Sequence, residues 1–293
     1  MFRRLQAVYV LEGSHGRSGL AKPRTRLPRA GTALRAALVL LCPPAQAQGA
    51  EQALRAAWTL QVAPITFRAD SVVRAGTAQQ PAGTEIDFES SLGLSQRRTA
   101  PEALLSVRPW QRHRFTIGHF RVERSATAAI GGEVRYADEV FAIGTLLHSR
   151  LETRVTSLDY AYSVWQRPSA EVTLGLGLHR IGLEALLASP SESRSAFESA
   201  RFTAPTLRLG GSAALGPRWS VHGHWHGLRH RHDEYSGRLR SHQAALQAQL
   251  TPQVATALGV REFRVRVDVD RPDWIGFART TYRGPFVAAV ATF

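Results

Sequence analysis

The chain has 293 residues and a formal net charge of +14 at pH 7, and this length accommodates one or two domains. Its single cysteine, Cys42, excludes an intrachain disulfide. The absence of a run of about 18 apolar residues excludes a transmembrane helix. The positive charge comes almost entirely from Arg residues that are spread through alternating segments. We therefore expect no nucleic-acid partner, because nucleic-acid binders gather their positive charge on one face.

Residues 1–47 have the pattern of a secretory signal peptide with an N-terminal extension. Arg residues come first, the apolar run 36–42 follows, and Ala45 and Ala47 supply the small residues of a cleavage site. We expect cleavage after Ala47, so that the exported protein continues through a short linker, 48–57, into the folded domain. The alternative for the apolar run is a short amphipathic helix.

Period-two alternation predicts the first strand at 58–68. Its apolar residues change face after Pro64, which predicts a bulge or an edge position. A long stretch rich in Gly, Ser and Thr, 70–93, follows this strand and is predicted to be a loop. Two further strands are predicted at 102–107 and 113–124.

A β-hairpin over 151–179 carries the clearest strand signal. Two runs of strict alternation flank a polar turn at 166–169. One face of the hairpin is small and polar and includes Asp159 and His179. The other face is apolar and aromatic, and we expect it to contact lipid through Leu158, Tyr160, Tyr162, Leu174 and Leu176.

The remaining chain continues the alternation, with polar stretches at 189–201 and 229–236 that are predicted to be exposed loops. The strands between and after them are predicted at 203–215, 219–228, 238–250, 254–268 and 274–293. Tight connections alternate with longer, charged ones along the chain. This alternation indicates a barrel in which short turns lie at one end and longer loops at the other.

The sequence therefore predicts an all-β fold, a closed antiparallel transmembrane β-barrel of about 10 strands (8–12) over residues 58–293. Short turns are expected on the periplasmic side and longer loops on the extracellular side. Lipid cannot satisfy backbone polar groups, so a strand protein in a membrane must close its sheet. The competing architecture is a soluble periplasmic β-sandwich or a lipocalin-like binding protein.

Several motifs together resemble the small outer-membrane β-barrel proteins of Gram-negative bacteria. They are the A-x-A signal, the alternating strands Leu158-x-Tyr160-x-Tyr162 and Val172-x-Leu174-x-Leu176-x-Leu178, and the terminal Phe293. The resemblance implies a location in the cell outer membrane and recognition of Phe293 by the barrel-assembly machinery. We further expect the protein to be a monomer. Its expected partners are outer-membrane lipid and lipopolysaccharide, because lipopolysaccharide carries phosphate groups that Arg side chains bind well.

Polar residues on the inward faces are expected to fill or line the lumen, and they include Asp159, His179, Arg208, Gln243 and Gln247. The strand at 219–228 adds His222, His224 and His226 on one face. Imidazoles suit zinc, copper and nickel, and neighbours on one strand face are about 6.5–7 Å apart, so a transition-metal ion is the one candidate cofactor. The alternative is that these histidines pack in a polar lumen and hydrogen-bond to their neighbours.

These patterns predict a structural protein or a narrow channel for small solutes rather than an enzyme. Barrel acyl hydrolases carry His and Ser on one strand as H-x-S, whereas this chain has the reverse order, Ser220-x-His222. Asp159 and His179 form a further candidate pair, catalytic or structural, across the hairpin. A barrel enzyme acting on lipid is kept as an alternative, with no catalytic residue assigned.

Overall fold

The computed structural model describes residues 49–76, 83–232, 235–271 and 274–293, and the predicted signal peptide at 1–47 lies outside them. A short helix, α1 (Gly49–Leu54), occupies most of the segment that was predicted as a linker. Within the described ranges the strands are β1 (Trp58–Gly76), β2 (Glu85–Asp87), β3 (Arg97–Trp110), β4 (His113–Ala129), β5 (Val134–Tyr136), β6 (Glu139–Phe141), β7 (Leu146–Arg167), β8 (Ala170–Ser189), β9 (Arg194–Ala214), β10 (Trp219–His232), β11 (Tyr235–Gln249), β12 (Val254–Arg271) and β13 (Trp274–Thr292).

The ten long strands of the described residues form one closed antiparallel barrel. Each pairs with its neighbours in chain order, and β13 returns to pair with β1. At this seam Trp58 and Phe293 exchange two backbone hydrogen bonds of 3.1 and 3.0 Å. Closure leaves no open edge along the membrane-spanning part of the sheet, which is the condition for strands that span a bilayer. The prediction of a closed antiparallel barrel of about ten strands is confirmed.

The two ends of the barrel differ in their connections. Tight turns join the strands at the end that carries Trp58 and Phe293, which we call the turn end. At the opposite, far end, β2 lies in the connection from β1 to β3, and the β5–β6 hairpin lies between β4 and β7. The predicted loops at 189–201 and 229–236 are too long, because β9 begins at Arg194, β10 extends to His232 and β11 begins at Tyr235, with 233 and 234 outside the described residues. Polar residues are compatible with strands that face water, so polarity alone misplaced these boundaries.

An apolar belt surrounds the turn-end half of the barrel. Every long strand contributes at least one exposed large apolar residue to it, for example Leu60, Leu105, Ile117, Leu158, Leu176, Leu209, Val221, Leu246, Leu258 and Val287. Exposed Trp58, Trp110, Trp165 and Trp219 lie at the turn end of this belt, as in the aromatic girdles of membrane barrels. A soluble sandwich or lipocalin-like barrel would not expose a continuous belt of this kind.

Among the described residues, no helix is both long and apolar enough to cross a bilayer.

The strands change their apolar face halfway along their length. On β8, Leu174 and Leu176 point outward, whereas Ile181 and Leu183 are buried inside the barrel. Four further strands, β1, β4, β7 and β12, show the same change, as in the inward-facing series Ile65, Phe67, Phe120, Val155, Phe263 and Val265. The far half therefore contains one continuous apolar core, while the turn-end half has a polar interior.

Candidate functional site in the lumen

A polar cavity of about 140 Å³, here called the chamber, occupies the lumen of the turn-end half. Inward-facing side chains such as Thr173 and His222 line it, and the end of α1 borders it. The backbone N–H of Ala50 donates to the carbonyl of Pro217 at 2.9 Å. The helix therefore lies across the turn end of the lumen and is held there by the barrel itself.

Glu171 is the main anchor of the chamber wall. Its two carboxylate oxygens accept from Nη2 of Arg108 at 3.0 and 2.9 Å, and one accepts from Nη2 of Arg114 at 2.6 Å. The hydroxyl of Ser163 donates to it at 3.1 Å. Arg108 and Arg114 also donate to the carbonyl of Leu54, at 3.1 and 3.4 Å. One buried carboxylate on β8 thus ties β3, β4 and β7 to its own strand, and the two guanidinium groups bonded to it also hold α1.

This anchor was not predicted from the sequence. Arg108 lies just beyond the predicted strand 102–107, although it belongs to β3 and points inward. The alternation of β8 could have identified Glu171. It lies on the same strand face as Thr173, opposite the apolar residues that face outward, and is therefore expected to point into the lumen.

Beyond the chamber, three buried side chains bring potential ligand atoms together, and we call them the Asp–His–His cluster. Asp159, His179 and His226 are each at most 5% exposed, and one ligand atom from each lies within 4.8 Å of the other two. Nε2 of His226 is 3.5 Å from Oδ1 of Asp159. Neither of these two atoms has a hydrogen-bond partner among the described residues.

The strand pairing explains why these three residues meet. Asp159 on β7 lies opposite Gly177 on β8, two residues before His179. His226 on β10 faces the same lumen across β9, where Arg208 is its direct partner. A side chain at Gly177 would collide with Asp159, since a Cβ there would come within 2.3 Å of Oδ1.

Of the three histidines predicted as metal ligands, only His226 belongs to the cluster. The ring of His224 lies 5.1 Å from that of His226, and His224 lines the chamber. His222 shares a hydrogen bond of 2.8 Å with the hydroxyl of Ser220. Because Ser220 is buried inside the barrel, this Ser–His pair does not face the lipid that a barrel acyl hydrolase would act on.

The other predicted lumen residues also point inward. Gln243 and Gln247 are buried, and Arg208 donates to the hydroxyl of Thr173 at 3.1 Å. On the outer surface, Leu158, Leu174 and Leu176 are about half exposed or more, and the half-buried Tyr160 and Tyr162 share the outward face of β7.

Four aromatic side chains, here called the aromatic layer, separate the cluster from the far end. They are Phe67, Phe120, Phe263 and Tyr282, each at most 2% exposed. Ring centroids lie 6.0 Å apart for Phe67 and Phe120 and 5.2 Å apart for Phe120 and Phe263. The hydroxyl of Tyr282 on β13 donates to Thr153 on β7 at 2.8 Å, which bridges the lumen. Arg261 forms a buried ion pair with Glu102 at the border of the layer.

An arginine collar follows the apolar belt on the outside. On nine of the ten long strands of the described residues, Arg is the first charged residue that faces outward beyond the belt. These residues are Arg68, Arg97, Arg121, Arg154, Arg180, Arg201, Arg229, Arg240 and Arg283. The membrane-spanning part of the barrel therefore ends at the collar, because charged side chains on the lipid face are costly within the bilayer.

No known protein family matches the sequence, and no curated protein matches it either. In structure, the chain is similar to the outer membrane protease OmpT of Escherichia coli, with 11% identity, 80% of this chain and 96% of that chain covered, and a TM-score of 0.50. Ail, the attachment invasion locus protein of Yersinia pestis, gives 9% identity, coverages of 78% and 98%, and a TM-score of 0.33. The toluene transporter TbuX of Ralstonia pickettii gives 8% identity, coverages of 81% of this chain and 90% of that chain, and a TM-score of 0.37.

At these identities the likeness concerns the fold. The alignment with OmpT, the seam between β1 and β13, and the apolar belt agree with one another. Together they support the expected location in the outer membrane. The chain has the fold of a Gram-negative outer-membrane β-barrel, as the resemblance predicted.

Proposed function

We propose that the protein is a structural component of the outer membrane, a barrel that is closed to solutes rather than a narrow channel. The observation that carries this proposal is the aromatic layer, which fills the lumen with side chains that are at most 2% exposed. The core beyond it is continuous from strand to strand. A solute would have to displace buried aromatic rings, and protein cores of this kind are closely packed.

The interactions around the aromatic layer support the same conclusion. Tyr282 bonds to Thr153 across the barrel, and Arg261 is paired with Glu102. Opening the lumen would leave these buried polar groups without partners, which costs about 1–3 kcal/mol for each neutral group and more for charged ones. At the turn end, α1 and the ion pairs of Glu171 form a second barrier.

Single-channel recording in planar lipid bilayers tests this proposal. Protein purified from outer membranes is expected to give no stable conductance steps. The variant Phe120→Ala combined with Phe263→Ala, which removes two rings of the aromatic layer, is expected to give a higher leak than the wild type. The outward-facing variant Phe115→Ala is the matched control and should stay silent. Stable steps from the wild-type protein would show that the barrel is a channel.

The arginine collar supports lipopolysaccharide as the partner of this structural barrel. A groove of about 350 Å³ on the outside of β7, β8 and β9 is lined by Arg154, Arg180 and Arg201. The guanidinium group donates pairs of hydrogen bonds to phosphate oxygens. The groove lies just beyond the apolar belt, at the height where lipid phosphates lie next to the acyl chains.

Comparison of thermal stability in two kinds of vesicle tests this partner. The wild type is expected to be more stable in vesicles that contain lipopolysaccharide than in phosphatidylethanolamine alone. Arg180→Gln should reduce this difference, whereas the control Arg135→Gln, in the β5–β6 hairpin outside the collar, should leave it unchanged. Equal stability of the wild type in both vesicles would contradict the proposed partner.

A further inference from the structure

We propose that Asp159, His179 and His226 bind a divalent transition-metal ion inside the lumen, and that Zn²⁺ fits them best. This site goes beyond a structural role in the membrane. It also differs from the site predicted from the sequence, because it keeps His226 but replaces His222 and His224 with Asp159 and His179. The three ligands come from β7, β8 and β10, so an ion here would link strands that are not all neighbours.

The spacing of the ligand atoms is close to what zinc requires. Bonds of about 2.0–2.2 Å in a tetrahedral site place two ligand atoms about 3.3 Å apart. Nε2 of His226 and Oδ1 of Asp159 are already 3.5 Å apart. The full set lies within 4.8 Å, so small side-chain rotations bring all three atoms to one ion.

Unpaired polar atoms point to a missing ligand at this place. Oδ1 of Asp159 and Nε2 of His226 are buried and lack hydrogen-bond partners among the described residues. Buried polar atoms are rarely left in this state, because each one loses its hydration without compensation. A cation bound between the carboxylate and the imidazole would satisfy both atoms at once.

The surroundings of the cluster are organised as they are around metal sites. Nδ1 of His179 shares a hydrogen bond of 3.3 Å with the hydroxyl of Thr206, which orients the ring and leaves Nε2 for another ligand. Histidine ligands are commonly oriented in this way through their second ring nitrogen. Gly177 provides the space, because a Cβ there would lie 2.3 Å from Oδ1 of Asp159 and 2.7 Å from Oγ1 of Thr206.

The ligand types select the class of ion. Two imidazoles and one carboxylate suit zinc and other first-row transition metals, whereas calcium and magnesium prefer oxygen ligands alone. Three protein ligands leave at least one position of a tetrahedral ion open. The nearby Arg208 donates a hydrogen bond to the hydroxyl of Thr173 at 3.1 Å.

Titration calorimetry with ZnCl₂ tests the site, with protein that is purified from outer membranes and treated with a chelator. One ion per chain is expected, and Co²⁺ in place of zinc should give visible absorption bands of a nitrogen- and oxygen-ligated ion. His179→Ala and His226→Ala should weaken binding by about tenfold or more, since even indirect partners of a ligand contribute that much. Asp159→Asn, which keeps the side-chain shape, should weaken it similarly.

His224→Ala is the matched control, because it removes a neighbouring imidazole that lies outside the cluster. Its zinc affinity should stay within about twofold of the wild type. Gly177→Ala should weaken binding by filling the space beside Asp159. Heat-modifiable migration in detergent gels verifies that each variant is folded. No zinc-dependent heat from the wild type, or equal losses in His224→Ala and His226→Ala, would overturn the proposal.

Discussion

The two halves of the barrel, divided at the arginine collar, have opposite chemistry. In the turn-end half the outer face is apolar and the lumen holds the chamber and the Asp–His–His cluster. In the far half the outer face carries charged residues and the lumen is an apolar core. The same ten strands therefore form a membrane barrel at one end and resemble a water-soluble β-barrel at the other.

This difference shows that the solvent outside determines the pattern along each strand. Where lipid surrounds the barrel, apolar residues face outward and the inside is free to be polar. Where water surrounds it, burial of apolar side chains inside the barrel supplies the stabilisation. The change of face after Pro64 reflects this boundary. The predicted bulge or edge position there is wrong, because β1 pairs with β3 in unbroken register from Trp58 to Arg68 and pairs with β13 on its other side.

The largest effect is expected in the far half, where truncation of the core leaves a cavity. Phe120→Ala should lower the free energy of unfolding by about 3–5 kcal/mol, because Phe120 is buried against Phe67 and Phe263. Urea denaturation in detergent measures this loss. The control Phe115→Ala, on the lipid face of the same strand, should cost clearly less, since lipid fills the space of the ring. Equal losses would show that the two halves are not stabilised differently.

A new charge on the outer surface should destabilise the turn-end half more than the far half, which is the reverse of the effect of core truncation. Leu174→Arg is expected to destabilise the barrel by about 2–4 kcal/mol if it lies near the middle of the bilayer. Phe197→Arg, at a similarly exposed position beyond the collar, should change stability by at most about 0.5 kcal/mol. Folding into lipid vesicles measures both. If Leu174→Arg leaves the stability unchanged, the assignment of Leu174 to the lipid-facing surface is wrong.

A smaller, pH-dependent effect is expected at the collar itself. Burial alone would raise the pKa of Glu152, but hydrogen bonds and charges from Arg121 and Arg154 outweigh it and lower the pKa below its usual range. The stabilisation by Glu152 should therefore be fully present above its unfolded pKa of about 4.3. It should be lost as the pH falls through the lower folded value.

The variant Glu152→Gln measures this contribution. It should be less stable than the wild type at neutral pH, by under about 1 kcal/mol for a partly solvated ion pair, and the difference should shrink in acid. Glu133→Gln, which removes an exposed carboxylate in the β5–β6 region, is the control and should show no such trend. A stability difference that is independent of pH would exclude Glu152 as the acid-sensitive group.

The fold was largely predictable because alternation in sequence translates directly into the two faces of a strand. The hairpin of β7 and β8 and the closed barrel followed from this rule. The length of the far half did not, since strands beyond the membrane carry the polar residues that also mark loops. For this reason 194–201 and 229–232 were predicted as loops, although they belong to β9 and β10.

The candidate site was predictable only in part. Parity assigned Asp159, His179 and His226 to the inward faces, but it could not show which inward residues meet. That depends on the stagger between strands, which is a property of the closed barrel. His226 on β10 reaches Asp159 across β8 and β9, whereas its sequence neighbours His222 and His224 lie nearer the turn end.

The seam between β1 and β13 has a consequence for the order of assembly. These are the first and last strands of the barrel in sequence, yet each completes the hydrogen bonding of the other. Until they meet, both have an unpaired edge, which lipid does not tolerate. We therefore expect a barrel that lacks either strand to insert poorly, with the contact between Trp58 and Phe293 formed as the sheet closes.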